Sequence, residues 1–244
     1  AGEQAVRDPA SPPELVAAGG RTAQVAYRVL VDRPDWDAAV LTAVPAALRA
    51  TVVHTVAAGR ELEALAGTLP TTLPAWRIVE PLPAPQLRAL YAEAQRRFRV
   101  PWTVLAAVHL VETSNGRIVG LSAAGAQGPM QFMPGTWARY GMGGDVWDTR
   151  DAILGAANYL AANGAADGSA GRIDAALFRY NNDSRYVRGV QHYAALMQAD
   201  ERAFLGLHAR QVYYRTQLGD VLLPTGYRST RPLAVQEWLA RGPR

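Results

Sequence analysis

The chain has 244 residues, 49% hydrophobic and 19% charged, the balance of a globular protein able to bury its own core rather than of a disordered one. It has no cysteine, which excludes disulfide scaffolds, thiolate zinc sites, iron–sulfur clusters and cysteine nucleophiles together. The 25 positive charges, all arginine, exceed 21 negative ones for a net +4; they are scattered apart from Arg96-Arg97-x-Arg99, so an anionic polymer suits the surface while the dense basic footprint of a nucleic-acid binder is missing.

Residues 1–13 are polar and proline-rich and read as a flexible tail. No transmembrane segment is expected, since no apolar run reaches the length a membrane span needs. Ala1 opens the chain without Met or a signal-like stretch, which fits either a trimmed cytosolic protein or one whose export segment has been removed. Residues 14–85 read as an N-terminal helical region closed by a strap. Leu41, Val44, Leu48, Val52 and Val56 recur as one apolar helical stripe, with Val53, Leu62 and Leu65 continuing the burial, and Pro45 starts or kinks a helix. Residues 70–85 carry five prolines and cannot be a helix interior, so they form an extended strap pinned by Trp76 and Ile78.

From residue 86 to 244 a second region begins. Helices are predicted over 85–98 and 101–114, then a small-residue stretch over 116–128. Short helices follow near 129–140, with Pro129 suited to a first helical position, and longer ones near 149–162, 172–180 and 184–199. Gln211–Pro224 has the β-branched and aromatic pattern of a hairpin turning at Gly219-Asp220. The fold class is mainly α.

The chemistry concentrates in 101–183. Glu112 sits near the C-terminal end of its predicted helix, ahead of an Asn115-Gly116 stop. Raising a glutamate from about 4.3 to about 6 takes roughly 2.3 kcal/mol, and the helix dipole supplies about 0.3–1 kcal/mol. Desolvation must therefore do most of the work if Glu112 is a general acid. In the stretch Ser122–Pro134, Gln131 offers an amide that both donates and accepts, as recognition of an acetamido sugar requires. Phe178-Arg179-Tyr180-Asn181-Asn182 places a phenol and an amide at a helix end.

Glu112, followed by S-x-x-G-A-x-G-x-M-Q-x-M-P over Ser122–Pro134 and then by Tyr180-Asn181, resembles the lytic transglycosylase family of goose-type, lysozyme-like fold. The likeness spans about residues 88–200, and Gly144–Leu160 further resembles its membrane-bound lytic transglycosylase B branch. The resemblance implies a lysozyme-like catalytic domain with an N-terminal helical extension and a small C-terminal hairpin. It implies Glu112 as sole catalytic acid/base, Ser122 near the N-acetyl group of the reacting sugar, Met130 and Gln131 lining the sugar cleft, Tyr180 beside Glu112 and positioning it, and Asn181 ordering its turn or touching saccharide. The partner would be peptidoglycan glycan strands, met outside the cytoplasmic membrane, with no cofactor. The family's usual Tyr-Asn-Ala is Tyr180-Asn181-Asn182 here, and Pro129 replaces a common Leu or Tyr.

Other readings compete. Asp145, Asp148 and Asp151 suit a second catalytic carboxylate, as in a hydrolytic muramidase, or a calcium loop, but Asp148-Thr149-Arg150-Asp151 has the form of a helix cap and the EF-hand spacing is missing. His54, His109, His192 and His208 are too dispersed for a metal signature, and His109 reads as a core histidine. Ser122 misses the serine-hydrolase elbow by one residue. A different class altogether is a non-catalytic, peptidoglycan-binding scaffold working with cell-wall synthesis or division proteins, docking through residues 1–85.

Overall fold

The structure is a computed structural model that describes residues 1–240. In chain order it contains α1 (Gly2–Arg7), α2 (Pro13–Val31), α3 (Asp37–Ala43) and α4 (Ala46–Glu63), then strands β1 (Thr72–Leu73) and β2 (Arg77–Ile78). Next come α5 (Ala84–Phe98), α6 (Trp102–Thr113), β3 (Ile118–Val119), α7 (Pro134–Tyr140), α8 (Thr149–Ala162), α9 (Ala170–Tyr180) and α10 (Ser184–Ala199). The chain ends in α11 (Ala203–His208), the strands β4 (Val212–Thr216), β5 (Gly219–Leu223) and β6 (Leu233–Ala234), and α12 (Val235–Ala240).

The axis of the body is α6. Its residues from Trp102 to Leu110 are all buried, because they are apolar or small on every side and a helix without a polar face belongs in an interior. Helices α5, α8 and α10 pack around it. Tyr91 on α5 and His109 on α6 have no exposed surface and meet through Tyr91 Oη and His109 Nδ1 at 2.7 Å. Burial holds His109 down at about 3, so the ring is neutral in the folded chain.

Residues 1–13, expected as a flexible tail, instead begin with a packed helix. Val6 of α1 is 1% exposed, Tyr27 Oη donates to Glu3 at 2.9 Å, and Arg7 pairs with Glu3 at 2.6 Å. The prolines mislead because Pro9 and Pro12 lie in the link between helices and Pro13 takes the first position of α2, where a missing N–H costs nothing. Pro45 divides the predicted single stripe: α3 ends before it and α4 starts after it. Val52 and Val56 pack with Tyr27 in a small cluster of their own, while Val53, expected inside, is exposed.

The N-terminal helices are fixed to the rest by α4, which lies along α10. Leu62 seats over Gly189, where a Cβ would come within 2.8 Å of its side chain. The seam also carries the His54–His192 pair, Nδ1 to Nδ1 at 2.9 Å, and the Arg188–Glu61 ion pair at 2.6 Å.

The strap is pinned as expected, and it does so by pairing. In antiparallel register Thr72 faces Ala234 and Leu73 faces Leu233, while Arg77 faces Val119 and Ile78 faces Ile118. Trp76 Nε1 donates to the Leu121 carbonyl at 3.0 Å. Leu73, Ile78, Val212, Leu223, Tyr227 and Val235 form a second, smaller core, so the strap and the C-terminal hairpin share one cluster across the 85/86 boundary. The hairpin turns two residues earlier than predicted: Thr216 pairs with Gly219, leaving Gln217-Leu218 at the tip. Thr216 Oγ1 secures that tip by donating to the Gly219 carbonyl at 2.8 Å and accepting from Leu218 N–H at 3.1 Å.

Candidate functional site

Helix α6 delivers Glu112 to its last turn and then stops abruptly. Ser114, Asn115 and Gly116 follow one another in the left-handed region with φ of 53°, 62° and 86°. The Ser114 and Asn115 N–H groups close back on the Leu110 and His109 carbonyls at 2.9 and 3.1 Å, satisfying carbonyls the helix end would leave open. Two of these three residues carry side chains, and each such conformation costs on the order of 1–2 kcal/mol. The expected Asn-Gly stop is thus preceded by Ser114 as the actual cap.

Glu112 itself is half-buried. Its carboxyl is pushed up from 4.5 to about 7 by desolvation, against a hydrogen bond from Tyr186 that pulls it down. Tyr186 Oη donates to Glu112 Oε1 at 2.6 Å. The family resemblance implies Tyr180 beside Glu112; the Tyr180 phenol is near enough to feel that carboxyl, and its Oη donates to the Met130 carbonyl at 2.6 Å. The two phenols lie parallel, ring centroids 6.4 Å apart with 6° between planes. Tyr180 thereby backs the tyrosine that touches Glu112. Both phenols are held far above the ordinary value by burial and by the nearby carboxyl, so both act as donors.

The loop after β3 is clamped against this helix end by consecutive carbonyls. Thr113 Oγ1 donates to Pro129 O at 2.6 Å and Tyr180 takes Met130 O. Gln127 and Phe132 exchange backbone hydrogen bonds of 2.8 Å, and Gln131 N–H reaches Gly128 O at 3.0 Å. Gly128 is required there, since it has φ +73° and a Cβ would lie 1.9 Å from the Val146 carbonyl. Residues 127–132 are therefore a tight loop and not the predicted short helix; Pro134, not Pro129, opens α7.

The remaining motif residues also make contacts within the chain. Met130 has no exposed surface; its side chain fills the main core and its carbonyl serves Tyr180, so it does not line a cleft with its thioether. Gln131, half-buried with φ 50°, turns its amide inward, Nε2 donating to Gly128 O at 3.0 Å. Ser122 Oγ accepts from the N–H groups of Ala124 and Ala126 at 3.2 and 3.0 Å and shapes its own turn. Asn181 is exposed at the end of α9, its carbonyl accepting from Asp183 N–H at 2.6 Å. Asp183 then caps α10, and this turn sets the register at which Tyr186 meets Glu112.

Tyr186 and Thr113 were missed, and Tyr186 had a signal. It falls on the buried stripe of α10 with Val190, Tyr193 and Met197, and a tyrosine on a core stripe needs a partner for its hydroxyl. The acidic trio resolves as a cap. Asp148 accepts from Asp151 N–H at 2.9 Å and Asp151 from Asp145 N–H at 3.0 Å, while Asp145 accepts from Trp147 N–H at 2.9 Å.

A helix buried on all sides, ending in a half-buried carboxyl that a phenol holds in place, with a tight loop locked beneath it, defines a mainly α, lysozyme-like domain. Residues 119–237 match the family described as Transglycosylase SLT domain, a likeness that supports a lytic transglycosylase family for this segment. That domain acts on peptidoglycan, which lies outside the cytoplasm. The matched segment covers the loop, α7 to α11 and the C-terminal strands, and begins seven residues after Glu112. No curated protein and no solved structure matches the chain. Among the described residues no helix is long and apolar enough to cross a membrane.

Proposed function

We propose that the protein cleaves the β-1,4 linkage between N-acetylmuramic acid and N-acetylglucosamine, with Glu112 as the only acid/base and a 1,6-anhydromuramyl end as product. The observation that supports this reading most directly is the Glu112 carboxyl at about 7 beside the Tyr186 hydroxyl. A glycosidase that uses water commonly needs two carboxylates, one to protonate the leaving oxygen and one to activate water or attack C1. Near neutrality Glu112 is present in both forms and can serve in turn as each partner. Its proton passes to the glycosidic oxygen as the C1–O bond breaks. The muramyl C6 hydroxyl then attacks C1 and returns its proton to Glu112, so no water is consumed. That hydroxyl is already tethered to the reacting ring, which gives it the proximity advantage of an intramolecular nucleophile. Tyr186 keeps the carboxyl oriented between the two steps.

Glu112 lies outside the matched segment, so its role rests on this geometry and on the motif order that ties it to Ser122, Gln131 and Asn181. Those three, with Tyr180, would bound the sugar from the loop and the α9 end. The Gly144–Leu160 segment, which supplies the α8 cap, is the part that favours the B branch. Digestion of purified peptidoglycan followed by mass analysis tests the proposal. Fragments lighter by one water than their reducing counterparts support it. Reducing ends indicate a hydrolytic muramidase, and binding without products indicates a non-catalytic wall scaffold.

A further inference from the structure

A cavity of about 510 Å³ opens between α2, the strap and α11, within the usual size range of small-molecule sites. Its walls are short and aliphatic, with Val16 and Ala17 on one side and Ala84, Leu205 and Ala209 on the other. Three guanidinium groups, Arg21, Arg117 and Arg202, share it with a single carboxylate, Glu80, and with His208. The carboxylate is already engaged: it accepts from Arg117 Nη1 at 3.1 Å and from Thr225 Oγ1 at 2.8 Å. Arg202 donates to the Val6 and Asp8 carbonyls at 2.8 and 2.7 Å, neutral acceptors that leave its charge uncompensated. Arg21 has no ion-pair partner among the described residues. Burial and the neighbouring Arg117 together hold His208 below the ordinary histidine range, as a cation-rich pocket would.

Arg117 is the second observation. It is 8% exposed and its Nε–H is buried without an acceptor. Its two terminal nitrogens are engaged, Nη1 by Glu80 at 3.1 Å and Nη2 by the His208 carbonyl at 3.3 Å, so it contributes positive charge to the wall rather than a free terminal donor. Its main chain is fixed on both sides, the carbonyl accepting from Val79 N–H at 2.9 Å and the N–H reaching the Ser114 carbonyl at 3.4 Å, so the charge is held at the cavity wall.

We propose that this cavity binds a ligand carrying one carboxylate on a short aliphatic body, the chemistry of a small peptide's C-terminus. The Arg21 guanidinium can pair with a carboxylate in two parallel hydrogen bonds, with Arg117 and Arg202 adding positive charge around it, and the Ala, Val and Leu walls fit alanine-sized side chains. This assignment stands independently of the glycan-cleaving site.

The test is calorimetric titration of the full chain with N-acetyl-alanyl-alanine, with the same dipeptide as its C-terminal amide, and with inorganic phosphate. Saturable binding of the carboxylate form, weakened at least tenfold by amidation, is expected. Arg21→Gln should weaken binding by a similar factor and Arg21→Glu should abolish it, with thermal melts confirming that both variants fold. Equal binding of acid and amide, absence of saturation, or full affinity in Arg21→Glu would overturn the proposal. Phosphate binding in place of the carboxylate would also overturn it, since it would identify the cavity as a phosphate site.

Discussion

At the residue scale the site turns on one ionisation. The folded chain holds the Glu112 proton more tightly than the unfolded chain does, with a value of about 7 against 4.5. The stability this contributes is fully present below pH 4.5 and is lost as pH rises through 7. At ~1.36 kcal/mol per unit the loss is roughly 3 kcal/mol, an upper figure because the side chain is only half-buried. Glu112→Gln keeps an acceptor for Tyr186 and never ionises. It should abolish glycan cleavage, match the wild type in urea melts near pH 4, and exceed its stability by about 2–3 kcal/mol at pH 8. Equal stability at pH 8 would mean that the carboxyl is freely hydrated. Tyr186→Phe removes the one hydrogen bond that favours the charged form, so Glu112 should rise further. The alkaline limb of kcat/KM, which reports loss of the protonated acid, should then move up by about one pH unit; an unmoved limb with merely lowered activity would reduce Tyr186 to packing. The sequence made Glu112 legible through its helix-end position and the motif behind it. It did not reveal which tyrosine reaches the carboxyl, because the Asn181–Asp183 turn decides that in three dimensions.

At the scale of elements, the long helices were legible because their apolar residues recur at helical spacing, and α5, α6, α8, α9 and α10 fall within two residues of the predicted ranges. Two-residue strands carry no period, so the pairing of β1 with β6 and of β2 with β3 could not be read from the strap. The α4–α10 seam was equally hidden, being a contact between elements more than a hundred residues apart. It holds two imidazoles at 2.9 Å, which suits one donor and one acceptor. His192 lies below the ordinary histidine value, through burial first and His54 second, with Glu61 pulling it up and Arg188 pushing it down. A lowered value contributes stability that is present above the unfolded value, near 6.5, and lost as pH falls below it. His192→Gln should therefore flatten the fall in melting temperature between pH 7 and 5, without changing product chemistry. A fall as steep as the wild type's would exclude the pair as its source.

Beside the small Tyr27 cluster, the described residues form two larger cores, and one chain stitches them. The main core takes Ala58 from α4, and the smaller one takes Leu73 and Ile78 from the strap, so the region before residue 86 completes both. A fragment beginning at residue 86 would lose the partners of Gly189, Leu233 and Ile118 at once. Burial of a Leu or Ile side chain is worth about 1.5–3 kcal/mol, and Leu73 and Ile78 are respectively 0% and 3% exposed. Their loss alone should cost ~3–6 kcal/mol. For a chain of this size each kcal/mol moves the melting temperature by about 2–4 °C, so the fragment should melt about 10 °C or more below the full chain, or without a cooperative transition. The strap and α6 are also joined directly, since the Val79 N–H bonds Arg117 O beside the turn that ends α6. Loss of cleavage should consequently accompany loss of the near-ultraviolet signal of the packed aromatics. A fragment that melted with the full chain and still cut peptidoglycan would show that the first 85 residues merely decorate an autonomous domain.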